Sequence, residues 1–337
     1  MVIGKSRHTC LFESTGQYWV PLFNIFSDSE LNLILANPQH IKNVPGRKTD
    51  MKDAEWIAQL GRCGLIEPSY IPSPEVMQLR LLTRRLRSYK QRQTQIKNEI
   101  HNLLQRANIK LTSYLSDIFS KTGQSLLTLF INGELIDYDN VTACIHKHVK
   151  ASPEELMEAM NGKLSLEDRF LLEQSLEEYQ LYQKLMNKLR SEIIAYIEKE
   201  FPEENRLLQM IPGVSETCAT TILAEIGPDV KAFQSDAHLA SWAGLCPGSY
   251  ESAGIKKSSH ITQGNRYIKQ ALTMSGLIAA HSKDNAFSSF YSKISQRGSK
   301  MKAVIDCAHK LLRIIYKILA THQEYDKEKV LGLRQQF

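Results

Sequence analysis

Apolar residues recur along this chain with different periods, and the change of period divides it. Near the start, HTCLFESTGQYWVPLFNIF (8–26) reads as a short strand, a glycine turn and an apolar helix. LNLILANP (31–38) predicts a second strand ending at Asn37-Pro38. GRKTDMKDAEWIAQL (46–60) then opens a helix: Thr49 or Asp50 can cap it, and acids in its first turn suit the helix dipole. Trp56, Ile57 and Leu60 form its apolar stripe. The three prolines of EPSYIPSPEV (67–76) mark a boundary.

Beyond that boundary the period lengthens. Leu79, Leu82, Leu86, Tyr89, Ile96, Ile100 and Leu103 recur in steps of three and four, with Gln93 and Ala107 filling the gaps, which is a heptad seam. A second seam runs through Leu172, Tyr179, Tyr182, Met186, Leu189, Ile193 and Tyr196, and Phe201-Pro202 ends its helix. The two helices can pair with each other or with another subunit. Residues 111–164 between them show no clear pattern. LLQMIPGVSETCATTILAEIG (207–227) reads helix, tight Pro-Gly turn, helix, and KAVIDCAHKLLRIIYKIL (302–319) is a last apolar-periodic helix. The expected divisions are 1–74, 75–202, 203–322 and a C-terminal tail, 323–337.

Charge adds one feature. Among 337 residues, Lys plus Arg number 42 against 36 for Asp plus Glu, a mild excess that permits nucleic acid without requiring it. The first long helix concentrates it, with Arg80, Arg84, Arg85, Arg87, Lys90 and Arg92 and few acids, as a solvated flank or a phosphate-facing surface. Six scattered cysteines without a CxxC pair suit reduced thiols in the cytoplasm. Cys144, His146 and His148 cluster, but no second ligand pair has zinc-like spacing. No signal peptide or long uncharged apolar run directs the chain to a membrane.

Several groups have alternative readings. Asp50 and Asp53 share a helix face and offer hard oxygen ligands to Mg²⁺ if other acids join them; otherwise they only start the helix. Gly213 sits in a turn that either presents backbone N–H groups to a phosphate or simply joins two packed helices. Lys256, Lys257, His260, Arg266 and Lys269 form a basic segment able to grip a phosphate backbone, with a turn at Gly264-Asn265-Arg266.

The ordered set FESTGQYW (12–19), KTDMKDAEWIA (48–58), IPGVSETCATTILAEIG (211–227), LASWAGLCPGSYESAG (239–254) and ITQGNRYIKQAL (261–272), with the terminal helix, resembles the insertion-sequence transposases of the IS one-ten type. These are bridge-RNA-guided recombinases that join a RuvC-like (RNase H-like) DEDD domain to a serine-bearing domain. The resemblance implies an α/β domain, long coiled-coil helices and a mainly helical C-terminal domain with a helix-hairpin-helix-like turn. It implies Glu13, Asp50 and Asp53 as Mg²⁺ ligands and Ser252 in YESAG as the nucleophile, with Ser249 as runner-up. DNA, a guide RNA and a homo-oligomer (dimer or tetramer) are the implied partners. The family's first Asp, on a strand upstream of the Glu, has no match in MVIGKSRHTC. A missing central strand, an exposed sheet edge and weak or absent activity are therefore expected. Two other readings stay open: a metal-dependent nuclease or junction resolvase using the acids alone, and a non-catalytic nucleic-acid binder.

Overall fold

The computed structural model describes residues 2–3, 9–14, 16–38, 41, 53–66, 68–146, 149–246, 250–252, 255–258 and 261–332; for 2–3, 53, 250–252, 255–258 and 331–332 it describes the backbone alone. Asp50, Ser249 and His260 lie outside these residues, as does His148.

The N-terminal part is a small α/β layer. Strand β1 (Val2–Ile3) pairs antiparallel with β2 (Thr9–Glu13). After Gly16, whose φ of 58° turns the chain, come helix α1 (Trp19–Phe26) and strand β3 (Asn32–Ala36), which runs parallel to β2. β2 is buried on both faces, as strands of parallel sheets are. Cys10 and Phe12 pack with Leu35 towards Trp19 and Phe26 of α1, while Leu11 packs with Ala36 and Ile41. Helix α2 (Asp53–Arg62) closes that second face with Ile57 and Leu60. β1 pairs with Cys10 and Leu11 on one side of β2, and β3 pairs along the other.

Helix α3 (Pro74–Arg106) starts at Ser73, whose hydroxyl accepts from the Val76 N–H, with Pro74 in the first turn. Its distal end carries a cap of short helices: α4 (Lys121–Asn132), α5 (Tyr138–Cys144) and α6 (Pro153–Ala159). These bury Leu126, Leu127, Val141 and Leu156 against Ile100 and Leu104, giving order to a stretch whose pattern was mute. Helix α7 (Leu166–Glu200) returns alongside α3. The two seams therefore meet each other within one chain, the first of the alternatives left open. Gln93 is buried in the seam, where its amide donates to Tyr179 O (3.4 Å) and Gln183 Oε1 (2.8 Å). A polar pair at such a position fixes register.

The C-terminal part is a helical layer: α8 (Pro202–Gln209), α9 (Glu216–Ile226), α10 (Asp236–Ala243), the hairpin β4 (Tyr250–Ser252) and β5 (Ile255–Ser258), then α11 (Arg266–Ala280), α12 (Asn285–Arg297) and α13 (Lys300–Thr321). The tail expected after residue 322 contains a further short helix, α14 (Lys327–Gly332), whose Val330 is buried. One continuous core joins these helices to the near end of α3 through Val76 and Leu79. No described helix is long and apolar enough to cross a membrane.

Candidate nucleic-acid interface and strand-transfer site

Arg80, Arg84 and Arg87 lie on one face of α3, and that face meets the C-terminal layer rather than open solvent. Arg80 has the most buried of these guanidiniums. It donates to the carbonyls of Ala224 (2.9 Å) and Glu225 (2.7 Å) in the last turn of α9. The Tyr70 hydroxyl donates to the next one, Ile226 O, at 2.8 Å. A helix leaves its final carbonyls without internal partners and gathers negative dipole there, so a cation in this position satisfies both. Burial pulls Arg80 below its ordinary pKa, opposed by the nearby Glu225 carboxylate. Burial also pushes the Tyr70 hydroxyl up to about 12.

Arg84 forms a fork on Glu225, Nε to Oε1 at 3.0 Å and Nη2 to Oε2 at 2.8 Å. Glu225 is only 1% exposed. Its Oε2 also accepts from the Asn265 amide at 2.6 Å. Asn265 caps α11, its Oδ1 accepting from the N–H groups of Tyr267 (2.9 Å) and Ile268 (3.2 Å).

Around Tyr267 the arginines converge. The guanidinium carbons of Arg84, Arg87 and Arg266 lie 4.3, 4.7 and 5.0 Å from its ring centroid. Arg87 also donates to Gln270 Oε1, and Arg266 donates to the Tyr267 hydroxyl at 3.1 Å. Three cations share one aromatic ring with a single buried carboxylate beneath them, so the cluster carries excess positive charge at the surface. Arg266 is its most exposed member. Phosphate oxygens are the natural complement of such a fork-bearing surface.

This cluster stands at the root of the hairpin that carries Ser252. The chain leaves α10 through Gly244 (φ 72°), and the segment before α11 returns so close that a Cβ on Gly264 would lie 2.2 Å from Gly244 N. Thr262 N–H donates to Cys246 O and Asn265 N–H to Trp242 O, each at 3.1 Å. The Lys269 ammonium donates to Thr262 O at 3.0 Å, and burial lowers its pKa. Lys269 thus braces the hairpin root. In the hairpin itself Ser252 pairs in register with Ile255, and Lys256 and Lys257 lie on the return strand β5.

Gly213 has a φ of 85° in the turn between α8 and α9. A Cβ there would lie 2.5 Å from Ser275 O and 2.8 Å from Ala279 N, so the turn is pressed onto α11 and needs glycine for that approach.

Of the acids, Glu13 ends β2 opposite Ala36 and is half-buried, while Asp53 begins α2, which packs on β2. With Asp50 and the Asp53 side chain outside the described atoms, no distance joins the three. Among the described residues no group of three or more His, Cys, Asp or Glu side chains converges as a metal site, including around Cys144 and His146.

Asn265 enters the sequence reading only as part of a turn, and Glu225 and Tyr267 do not enter it. The available signal was Glu225 itself, a lone acid in the apolar run ATTILAEI, which must be paired if that helix is buried.

Two family models match the chain in order: a DEDD-type IS110 transposase model over residues 4–109, and one described as Transposase IS116/IS110/IS902 family over residues 205–292. Among curated proteins, the chain is 36% identical over 132 residues to a pilin gene-inverting protein of Moraxella bovis, covering 37% of this chain and 41% of that protein. A pilin gene-inverting protein of Moraxella lacunata is 36% identical over 124 residues, 36% of this chain and 38% of that protein. An uncharacterized 43.6 kDa protein of insertion element IS110 from Streptomyces coelicolor is 29% identical over 129 residues, 38% and 31% of the two chains. The matches span about two fifths of these relatives or less. The helix-flanked layer holding Glu13 is consistent with the RNase H-like fold of the DEDD match. With one of its two domain models matched over the α/β layer and the other over the serine-bearing helical layer, the chain belongs to the IS110-type transposase family.

Proposed function

We propose that this protein cuts and rejoins DNA, with Ser252 as the nucleophile. The observation that carries the reading is the hairpin: Ser252 and the lysines of β5 rise from a root braced beside the Arg84, Arg87 and Arg266 cluster. The Ser252 hydroxyl oxygen attacks phosphorus, its proton passing to a base or to solvent. An Oγ–P bond forms as the bond from phosphorus to the leaving deoxyribose oxygen breaks, and that oxygen takes up a proton. Attack by a second strand's hydroxyl reverses the step and frees the serine. Because one ester replaces another, rejoining needs no external energy. Arg87, Arg266, Lys256 and Lys257 hold phosphates on either side of the cut, and Arg84 contributes through the part of its fork not committed to Glu225. Arg80 serves the same surface by anchoring α3 to α9. Gly213 serves it by seating the turn on α11.

Glu13, Asp50 and Asp53 are all-oxygen donors and fit a hard divalent cation, for which Mg²⁺ is the proposal. Such an ion would polarise a phosphoryl oxygen and offset transition-state charge. The exposed Arg85, Lys90 and Arg92 of α3 support a guide RNA as a further partner, and oligomerisation is proposed from the family.

The test is denaturing-gel analysis of the full chain with plasmid DNA carrying its gene and flanking sequence. A protein–DNA adduct that disappears in Ser252→Ala, together with cleavage, is expected. Cleavage retained in Ser252→Ala would instead indicate a nuclease working through the acids alone. DNA binding with no cleavage under any divalent ion would indicate a binder.

A further inference from the structure

Glu225 has no role in the chemistry above, yet it is the most enclosed charge in the neighbourhood. Its carboxylate touches groups from two distant segments: Arg84 on α3, by the 3.0 and 2.8 Å fork, and Asn265 at the hairpin exit, at 2.6 Å. Arg80 Nε lies 3.6 Å from the same Oε2. The fork ties α9 to the arginine cluster on α3, and the Asn265 bond ties it to the start of α11, where the chain leaves the hairpin. Replacing a buried ion pair by well-packed apolar residues is often neutral or stabilising, so its energetic value alone does not explain the arrangement. Its geometric value does. Two N–H directions on Arg84 and one on Asn265 must be met at once, and a single planar carboxylate meets them only in one relative placement of helix and hairpin root.

We propose that Glu225 is a positioning residue for strand transfer, setting the hairpin that carries Ser252 at a fixed place relative to the phosphate-gripping arginines. This rests on the serine reading above. Glu225 also withholds Arg84 in part from the nucleic acid. That gives a consequence opposite in sign to simple damage: removing the carboxylate's charge should loosen the hairpin root while freeing a cation for phosphate.

The experiment compares the full-length protein with Glu225→Gln and Asn265→Ser in two assays. The first is adduct formation on the plasmid described above. The second is binding to a random-sequence duplex oligonucleotide across a salt series. Glu225→Gln is expected to form adduct about a hundredfold more slowly, in line with a misplaced nucleophile. It should nevertheless bind the duplex at least as tightly, with a log–log salt slope steeper by about 0.9 for one added phosphate contact. Asn265→Ser keeps an N-cap acceptor for α11 but loses the amide held by Glu225. It should slow the adduct with the salt slope unchanged. Weakened binding together with lost adduct in both variants would mean that Glu225 only supports folding, and would overturn the proposal. So would adduct formation at the wild-type rate in either variant. If the unaltered protein forms no adduct that depends on Ser252, the serine reading fails first, and the salt slope of Glu225→Gln alone decides whether Glu225 withholds Arg84.

Discussion

In the N-terminal sheet, one face buries Leu11, Ala36, Ile41, Ile57 and Leu60, and the other buries Cys10, Phe12 and Leu35. In the C-terminal layer, a single core runs from Val76 and Leu79 through α9, α11 and α13 to Val330. Each region carries one part of the proposed chemistry, and they hold those groups differently. Small cores bury too little apolar surface to offset much chain entropy, whereas a continuous one is cooperative. Glu13 and the start of α2 at Asp53 therefore stand on the shallower support, and the root of the serine hairpin is anchored in the deeper one. The lesson is that the two halves of the proposed chemistry need not be equally ordered before substrate binds.

The largest test of that contrast is a pair of truncations. Leu223→Ala, in the fully buried face of α9, should cost about 2–5 kcal/mol of global stability. Leu35→Ala should instead act locally, with amide protection in β2 and β3 lost while α9 and α13 keep theirs in hydrogen exchange. Equal effects of both on one melting transition would erase the distinction. A second, smaller contrast is chemical. Burial pushes the thiols of Cys218 and Cys307 up to about 11, while Cys63 at the end of α2 is exposed. Labelling of the native protein by a thiol reagent at neutral pH should modify Cys63 first and leave the two C-terminal cysteines until unfolding. The smallest effect is on pH. Burial lowers the pKa of His309 on α13, and the neighbouring Arg313 adds to this. A depressed histidine favours the neutral form in the fold, so its contribution is complete above the ordinary value of about 6.5 and is lost as pH falls below it. The urea midpoint of the C-terminal transition should be slightly lower at pH 5 than at pH 7, and His309→Gln should flatten that difference.

Much of this architecture was legible from residue order. The strand–turn–helix opening, both heptad seams, the Pro-Gly turn and the last helix appear where the periodicity put them, because each depends on near neighbours along the chain. The region 111–164 escaped the periodicity reading because its helices are short and pack on the far end of α3, although Ser120, Asp137 and Ser152 each cap one of them. The basic face of α3 was read as solvated or phosphate-facing. Arg80 and Arg84 instead turn onto α9, while Arg87 reaches the surface cluster, a division that spacing along a helix cannot express.

Sequence alone determined the strongly patterned elements, the family and the residues proposed for catalysis, all of which follow from local pattern and ordered motifs. Only the tertiary structure decided that the two seams close on each other, that three arginines meet at Tyr267, and that Glu225 joins them to the hairpin root. The physical reason is distance along the chain: Arg84 and Glu225 are 141 residues apart, and Glu225 and Asn265 are 40. A bond between such residues is set by how the helices pack.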